Sequence, residues 1–549
     1  MLAWIEQDPE PASQAELQEL LQQEEFSELA QRFDSELQFG TAGLRGPLGA
    51  GPSRMNTATV RRTTAGFAGY LASQVPGAAD AGVVVGHDAR HGSAEFAQEA
   101  ACVLAGAGIR ALLLPPKVPT PLLAFAVRRL RCAGGVMITA SHNPPQDNGY
   151  KVYLSDGAQI VAPVDEEIAR CIAEVGPADE IPLGSQGERL GDGIRADYVR
   201  AIVSALPERT ACSEALRIVY TPLHGVGRDT LLAAFGEAAF AVPQLVAEQA
   251  DPDPEFSTLV RPNPEEPGTL DLALAQAERQ DANLLLANDP DADRLAVAIP
   301  TAAGGWRVLN GDEVGALLGR HLLAQCEDPS RVVVISTVAS STLLARMAHE
   351  AGVVYRQTLT GFKWIMRAAA EAAPRRLLLG YEEALGYAVS DVVCDKDGIS
   401  AALVMCQVAM EAAATGTTLE AYLDELAVRF GLHATRQVSI ELTGGDGPDE
   451  AARIMHVLRE NPPRKVGGRA ITAAEDLLAG ERLPPSDVLV MWLEGAARVV
   501  VRPSGTEPKL KAYLQVIVET DRESLPEMRL RAAEELDVLA EQMQRLLTR

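Results

Sequence analysis

Lysine is scarce in this chain: only seven of its 49 basic residues are Lys (Lys117, Lys151, Lys363, Lys396, Lys465, Lys509 and Lys511), so arginine carries the routine surface charge. Arginine stays protonated in proteins, whereas a lysine can have its pKa lowered and exchange a proton, which makes each lysine a candidate for chemistry as well as a surface charge. A positive balance is lacking too. The 49 Lys+Arg stand against 75 Asp+Glu, a net charge of −26, which opposes non-specific binding to nucleic acid or to an anionic membrane surface. Any anionic ligand must therefore be held by a local basic site. No stretch approaches the run of about 18 apolar residues expected of a membrane span. The opening Met1-Leu-Ala-Trp-Ile-Glu-Gln-Asp8 lacks the basic region and apolar core of a signal peptide. Seven scattered cysteines (Cys102, Cys132, Cys171, Cys212, Cys326, Cys394 and Cys406) include no CxxC pair, and the odd count suits free thiols better than a disulfide frame. These absences lead us to expect a cytoplasmic protein in a reducing compartment, with no nucleic-acid and no membrane partner.

What is present is enough for several cores. A length of 549 residues at 47% hydrophobic content corresponds to about three to five domains. Ser13 and Glu16 have the spacing of a capping box, and Leu17, Leu20, Leu21, Phe26, Leu29 and Phe33 follow at near-helical intervals, which predicts a helical N-terminal extension packed on the body. From about residue 58 short apolar runs alternate with helical patterns: Gly82–Asp88, Ala94–Leu104, Ala111–Leu114, then Val136–Thr139. That alternation predicts a helix-covered, largely parallel sheet. The plan restarts at Leu216-Arg-Ile-Val-Tyr-Thr221 and again at Arg331-Val-Val-Val-Ile-Ser-Thr337. After about Gly431 the strands Gln437–Leu442, Val488–Leu493, Arg498–Arg502 and Leu510–Val518 come without regular crossover helices, and a long helix starts near Glu523. The expected class is α/β, with three similar mixed α/β sheet domains (1–210, 211–310 and 311–432) and a smaller α+β C-terminal cap (433–549) around a central cleft.

Four stretches carry chemistry. In Gly135-Val-Met-Ile-Thr-Ala-Ser-His-Asn-Pro-Pro145 an apolar strand stops on a rigid turn, which is how a fold presents one nucleophile, here Ser141. Taken alone, the same residues describe an ordinary strand exit. Asn288-Asp-Pro-Asp-Ala-Asp-Arg294 follows the apolar run Leu284–Ala287, and the alternate carboxylates Asp289, Asp291 and Asp293 can converge on one hard cation. An EF-hand would need Gly and Glu where Arg294 and Pro300 stand, so Mg²⁺ is the better match, and a phosphate on Ser141 could supply an oxygen. The alternative is an acidic surface turn, disfavoured because three like charges so spaced repel unless neutralised. In Gly380-Tyr-Glu-Glu-Ala-Leu-Gly-Tyr387 the pair Glu382 and Glu383 could accept hydrogen bonds from neighbouring sugar hydroxyls, although adjacent glutamates are commonly just solvated. Arg502-Pro-Ser-Gly-Thr-Glu-Pro-Lys509 combines a guanidinium, the hydroxyls of Ser504 and Thr506, and the backbone of Gly505 into an anion cradle. The glycine-rich Phe39–Gly46, with Arg45, could bring its backbone close to a ligand. A phosphate site so far in sequence from Ser141 requires the first and last domains to face each other.

With these motifs in order along nearly the whole chain, the sequence resembles the α-D-phosphohexomutases, the phosphoglucomutase/phosphomannomutase family. Thr139–Pro144 matches the phosphoserine loop, Asp289–Arg294 the magnesium loop, Glu382-Glu383 the sugar loop and Arg502–Thr506 the phosphate loop. Phe39–Gly46 and Glu382–Gly386 look most like the phosphoglucomutase-2-like branch, which includes phosphopentomutases and glucose-1,6-bisphosphate synthases. The resemblance implies that Ser141 is phosphorylated and passes its phosphoryl group to a hexose phosphate, with glucose as the leading sugar, through a sugar 1,6-bisphosphate, with Mg²⁺ held by Ser141, Asp289, Asp291 and Asp293. It implies that Lys151 and Arg45 serve acid/base and orienting roles, and that His142 either bonds the phosphate or braces the loop. Substrate-binding residues would be Arg294, Glu382, Glu383, Lys396, Arg502, Ser504, Gly505 and Thr506, with Lys363 and Lys509 as further contacts. Ala384 stands where many members have Ser, which leaves the preferred sugar open. Phosphomannomutase, phosphopentomutase and bisphosphate synthase activities share these loops. A non-catalytic sugar-phosphate sensor would have lost the nucleophile or a carboxylate, and neither is lost.

Overall fold

The computed structural model describes residues 1–208, 216–442, 447–505 and 509–548, with side chains from 450 onward in the third segment's opening helix. The chain packs as two compact units. One holds residues 1–208, 215–308 and 386–406, and the other holds 309–385 and 407–549. Each is described on its own. No single helix among the described residues is long and apolar enough to cross a membrane, and the six described cysteines are free thiols.

In the first unit the N-terminal extension is three short helices, Leu2–Gln7, Pro11–Gln22 and Phe26–Phe33. Ile5, Leu17 and Leu29 bury against Ala50 of the body, with Trp4, Leu20, Leu21 and Phe33 around them, whereas Phe26 is exposed. The expected capping box does not form. Pro11 starts the helix three residues early, because its fixed φ suits the first turn and it has no N–H to satisfy. Ser13 is thereby buried inside the helix, and Glu16 accepts hydrogen bonds from Arg32 at 2.5 Å and from the Ala50 amide at 3.3 Å.

The first sheet runs in the order Leu44–Pro47, Asp147–Leu154, Gly134–Ile138, Val83–His87, Ala111–Leu113, Glu188–Arg189. Its centre is parallel, and Asp147–Leu154 returns antiparallel beside Gly134–Ile138. Val83, Val84 and Val85 are fully buried, as a strand covered on both faces requires. The second sheet runs Trp306–Val308, Ala296–Pro300, Leu284–Ala287, Ile218–Thr221, Gln244–Leu245, and Leu284–Ala287 is likewise buried throughout. The strands Gly134–Ile138 and Leu284–Ala287 each end, at the carboxyl end, in one of the motif loops, the usual place for a ligand in an α/β sheet.

In the second unit Val332–Thr337 is flanked in parallel by Val354–Thr358 and Arg376–Glu382. The C-terminal part is a six-stranded antiparallel sheet ordered Leu432–Glu441, Lys509–Val518, Ala497–Pro503, Leu489–Leu493, Arg469–Asp476, Lys465–Val466. The helix Leu525–Leu547 covers it through Ala532, Leu536, Leu539 and Met543. The α+β cap reading therefore holds, but it omitted the helix Gly447–Glu460 and the two strands after it. Ala451, Ile454, Met455 and Leu458 give that helix a buried stripe at i, i+3, i+4, i+7, whereas the alanine-rich Arg469–Asp476 lacks the alternation that marks a strand.

One partly buried base in this unit makes stability depend on pH. His433, on strand Leu432–Glu441, sits 3.3 Å from the Thr342 hydroxyl through Nδ1, and its Nε2 is buried with no partner among the described residues. Burial, reinforced by the nearby Arg346 charge, drives its pKa down to about 3. The unfolded chain binds a proton below about pH 6.5 that the folded one refuses, so this contribution is complete above that pH and is lost as pH falls from there toward 3. Urea melts at pH 6.5 and 5.0 should show a loss of about 1 to 2 kcal/mol that His433→Gln removes. An unaltered pH slope in the variant would contradict this assignment.

Candidate active site

Ser141 lies just past the buried end of Gly134–Ile138, in the left-handed region at φ +52°. Its amide donates to the Thr139 hydroxyl at 2.9 Å, which fixes the turn. Its Oγ donates to Asp289 Oδ2 at 2.9 Å and lies 3.2 Å from His142 Nδ1. Arg45 braces the same loop, donating to Asn143 Oδ1 at 2.9 Å, and Asn143 donates on to Asp147 at 2.8 Å. The glycine-rich segment before Arg45 is needed for packing against the chain itself. A Cβ on Gly43, at φ +76°, would stand 1.9 Å from the Tyr150 carbonyl oxygen.

The acidic loop follows Leu284–Ala287, and Asp289, Asp291 and Asp293 are all buried there. One carboxylate oxygen of each lies within 4.8 Å of the others. Ala292, between two of them, takes φ +54°. Beneath the loop the turn Pro222-Leu-His-Gly225 approaches so closely that a Cβ on Gly225 would be 2.3 Å from Pro290 Cα. Asp289 spends Oδ1 on the Arg294 amide and Oδ2 on Ser141. Asp291 Oδ1 and Asp293 Oδ1 are buried without a hydrogen-bond partner among the described residues. Two orphaned anionic oxygens beside a third carboxylate, with no nitrogen or sulfur donor in the cluster, suit a hard divalent cation such as Mg²⁺. The trio thus fits the expected metal.

Lys151 reaches this cluster because it lies on the antiparallel strand Asp147–Leu154, paired opposite Met137. Its ammonium donates to Asp291 Oδ2 at 2.7 Å and to Asp293 Oδ2 at 3.2 Å. Lys396 Nζ stands 3.2 Å from Asp293 Oδ2 and 3.6 Å from Asp395. Burial and the neighbouring carboxylates push Asp289 well above the ordinary carboxylate range. Burial acts the same way on Asp291, but the charge and hydrogen bond of Lys151, with the Thr120 hydroxyl, outweigh it and hold that group below the range. Arg294 pairs with Glu265 at 3.2 Å.

Glu382 and Glu383 end strand Arg376–Glu382 and begin the turn after it, both partly buried. Glu383 Oε2 accepts hydrogen bonds from Thr337 at 2.9 Å and Ser340 at 3.0 Å, and burial followed by repulsion from Asp312 raises its pKa. In the cap, Arg502 lies near the end of strand Ala497–Pro503 and donates to the Tyr513 hydroxyl at 3.4 Å. The Ser504 amide donates to the Lys509 carbonyl at 2.7 Å, Gly505 is exposed, and Thr506 lies outside the described residues. Lys509 is 3.6 Å from Glu441, and Lys363 sits in the first turn of helix Phe362–Glu371.

Thr120 and Asp395 were not found by sequence reading. Thr120 opens helix Thr120–Arg129, donates its hydroxyl to Asp291 Oδ2 at 2.6 Å, and gives its amide to the Asp291 carbonyl at 2.9 Å. Asp395, beside Lys396, accepts from Tyr153 at 2.9 Å and Gln159 at 2.8 Å. The Pro-Thr-Pro around Thr120 was a legible helix start, but nothing near it in sequence named its partner 171 residues on.

Family models described as phosphoglucomutase/phosphomannomutase, alpha/beta/alpha domains I, II and III match residues 36–178, 196–304 and 310–430. The chain is 42% identical over 466 residues to a Haemophilus influenzae protein named probable phosphomannomutase, covering 84% of this chain and 92% of that one. It is 36% identical over 554 residues to a Mus musculus phosphopentomutase, covering 93% and 89% respectively. A crystal structure from Thermus thermophilus superposes with a TM-score of 0.71 at 25% identity, covering 94% of this chain and 100% of that one. Three α/β sheets in succession, an antiparallel cap and matches over most of the length place this chain in the phosphoglucomutase/phosphomannomutase family, whose members here are phosphosugar mutases.

Proposed function

We propose that this mutase interconverts hexose 1-phosphate and hexose 6-phosphate, with glucose as the sugar, through a phosphoserine at Ser141 and a sugar 1,6-bisphosphate. The observation that carries this reading is the 2.9 Å hydrogen bond from Ser141 Oγ to Asp289, beside the two orphaned oxygens of Asp291 and Asp293. Asp289, Asp291 and Asp293, with a phosphate oxygen on Ser141, would hold Mg²⁺, which when bound neutralises charge on the transferring phosphoryl group. Transfer breaks the bond between phosphorus and Ser141 Oγ and forms one to a sugar hydroxyl, whose proton must leave. We assign acceptance of that proton to Lys151 as the neutral amine, a form that burial favours and the stronger charges of Asp291 and Asp293 oppose, and orientation of the hydroxyl to Arg45, with His142 at the phosphate. Return of the other phosphate to Ser141 completes the exchange. Lys396 and Arg294 would face the substrate beside the acidic loop, Glu382 and Glu383 would accept its hydroxyls, and Arg502, Ser504, Gly505 and Thr506 would grip the phosphate that is not reacting. The division 1–210, 211–310, 311–432 and 433–549 gives each of these loops to one domain.

The second reading is a pentose phosphate mutase. The Mus musculus relative and Ala384 at the sugar turn support it. Assays with glucose 1-phosphate, mannose 1-phosphate and ribose 1-phosphate in parallel should give the highest kcat/KM for glucose. A preference for ribose would shift the assignment to pentose, and inactivity on all three would overturn the proposal.

Intact mass should show a fraction of the protein carrying one added phosphate, absent from Ser141→Ala. Retention of that mass in the variant would move the nucleophile elsewhere. Asp291→Asn should lower kcat by at least about 10²-fold, the cost of losing one preformed electrostatic contact to the transition state. It should also weaken the dependence on added magnesium, and an unchanged magnesium titration would refute the metal assignment.

A further inference from the structure

The left-handed backbone at Ser141 has to be held. A non-glycine residue there costs on the order of 1 kcal/mol, and Pro144 and Pro145 remove two backbone donors from the loop that follows. The loop's own amides therefore serve few of its carbonyls: the Asp147 amide donates to that of Pro144 at 3.1 Å, and the rest look to donors outside. Four of them converge on one guanidinium. Arg90 Nη2 donates to the carbonyls of Ser141 at 2.7 Å and Asn143 at 2.5 Å, and Nη1 donates to those of Pro144 at 2.7 Å and Asp147 at 3.1 Å.

Arg90 is itself fixed by two neighbours, Asp88 and Phe256. Its side chain is 1% exposed, and Asp88 lies 3.4 Å from Nε as the counter-charge while also accepting the Arg90 amide at 2.9 Å. The Phe256 ring covers the guanidinium with its centroid 4.9 Å away. A planar fork can serve four diverging carbonyls at once, which a single ammonium on a flexible stem cannot. Asp88, in turn, is held by the Ser93 hydroxyl at 2.7 Å.

We infer that Arg90 is a positioning residue for phosphoryl transfer: by binding the carbonyls of residues 141, 143, 144 and 147 it sets the loop geometry that aims Ser141 Oγ at Asp289. This rests on the reading of Ser141 as nucleophile. Arg90 bonds the carbonyl of Ser141 and three others within six residues of it, so loosening its hold turns the nucleophile. A displacement of about 1 Å at a reacting atom can cost about 10²-fold in rate without altering substrate affinity.

The test uses the full chain and the single-turnover rate at which glucose 1,6-bisphosphate phosphorylates Ser141, read by intact mass, with thermal melts as the folding control. Arg90→Lys should stay folded and slow phosphorylation about 10²-fold, while the bisphosphate concentration for half-maximal rate moves less than about threefold. Added guanidinium ion should restore about tenfold of the rate lost in Arg90→Ala, and methylammonium should not. Phosphorylation of folded Arg90→Lys within about threefold of wild type would overturn the inference. So would a loss expressed wholly in half-saturation. If neither variant folds, Phe256→Leu, which leaves the guanidinium in place without its aromatic cover, decides: a slower rate at unchanged half-saturation supports the role, and an unchanged rate overturns it. A wild-type chain that takes up no phosphate would instead count against Ser141 as nucleophile.

Discussion

Three buried carboxylates with oxygens within 4.8 Å of one another cannot share that space without compensation, and much of the first unit is arranged around that constraint. The compensation comes from distant parts of the chain: the Lys151 ammonium from a returning strand, Lys396 from the segment after Tyr387, the Thr120 hydroxyl from a helix start and the Ser141 hydroxyl from the loop after Gly134–Ile138. The two oxygens left without hydrogen bonds are the ones a cation would take. Charge balance, as well as apolar packing, therefore ties the ends of two sheets together. The scarcity of lysine acquires a physical sense here, because two of only seven lysines sit on this trio.

Much of this was legible in the sequence because the signals were local. A buried central strand reads as an uninterrupted apolar run, and the bounds of Leu284–Ala287 followed directly from it. The acidic loop announced itself by alternation of charge, and the turn at Ser141 by hydroxyls and prolines after a strand. Less legible were features decided by competition or by distance. Ser13 lost the helix start to Pro11, whose ring needs no hydrogen bond. Arg469–Asp476 pairs as a strand because its neighbour Leu489–Leu493 supplies the ladder, not because its own residues favour one. Thr120, Asp395 and Arg90 act on partners far along the chain, 171, 242 and 51 residues away, and nothing in a single chain records such pairing.

The second unit answers a different requirement. Glu383, which we propose reads sugar hydroxyls, is held by hydrogen bonds from Thr337 and Ser340, at and just beyond the end of the central strand Val332–Thr337. Arg498 continues the chain of contacts, donating to the Ser340 carbonyl at 2.7 Å and to Gln515 at 3.1 Å. Arg498 lies on the same strand as Arg502, four residues earlier. The parallel sheet and the cap sheet of this unit are thus joined by buried polar contacts as well as by apolar ones such as Val338, Leu359, Val490 and Val500.

Because two hydroxyls already grip one oxygen of Glu383, its side chain has little rotameric freedom left to surrender. A free glutamate loses about 1 to 2 kcal/mol of conformational entropy when a ligand immobilises it, and here most of that loss was met during folding. Under the proposed function, a sugar arriving at Glu383 would meet an acceptor already frozen in place, and a bisphosphate that turned over would meet the same fixed acceptor the second time.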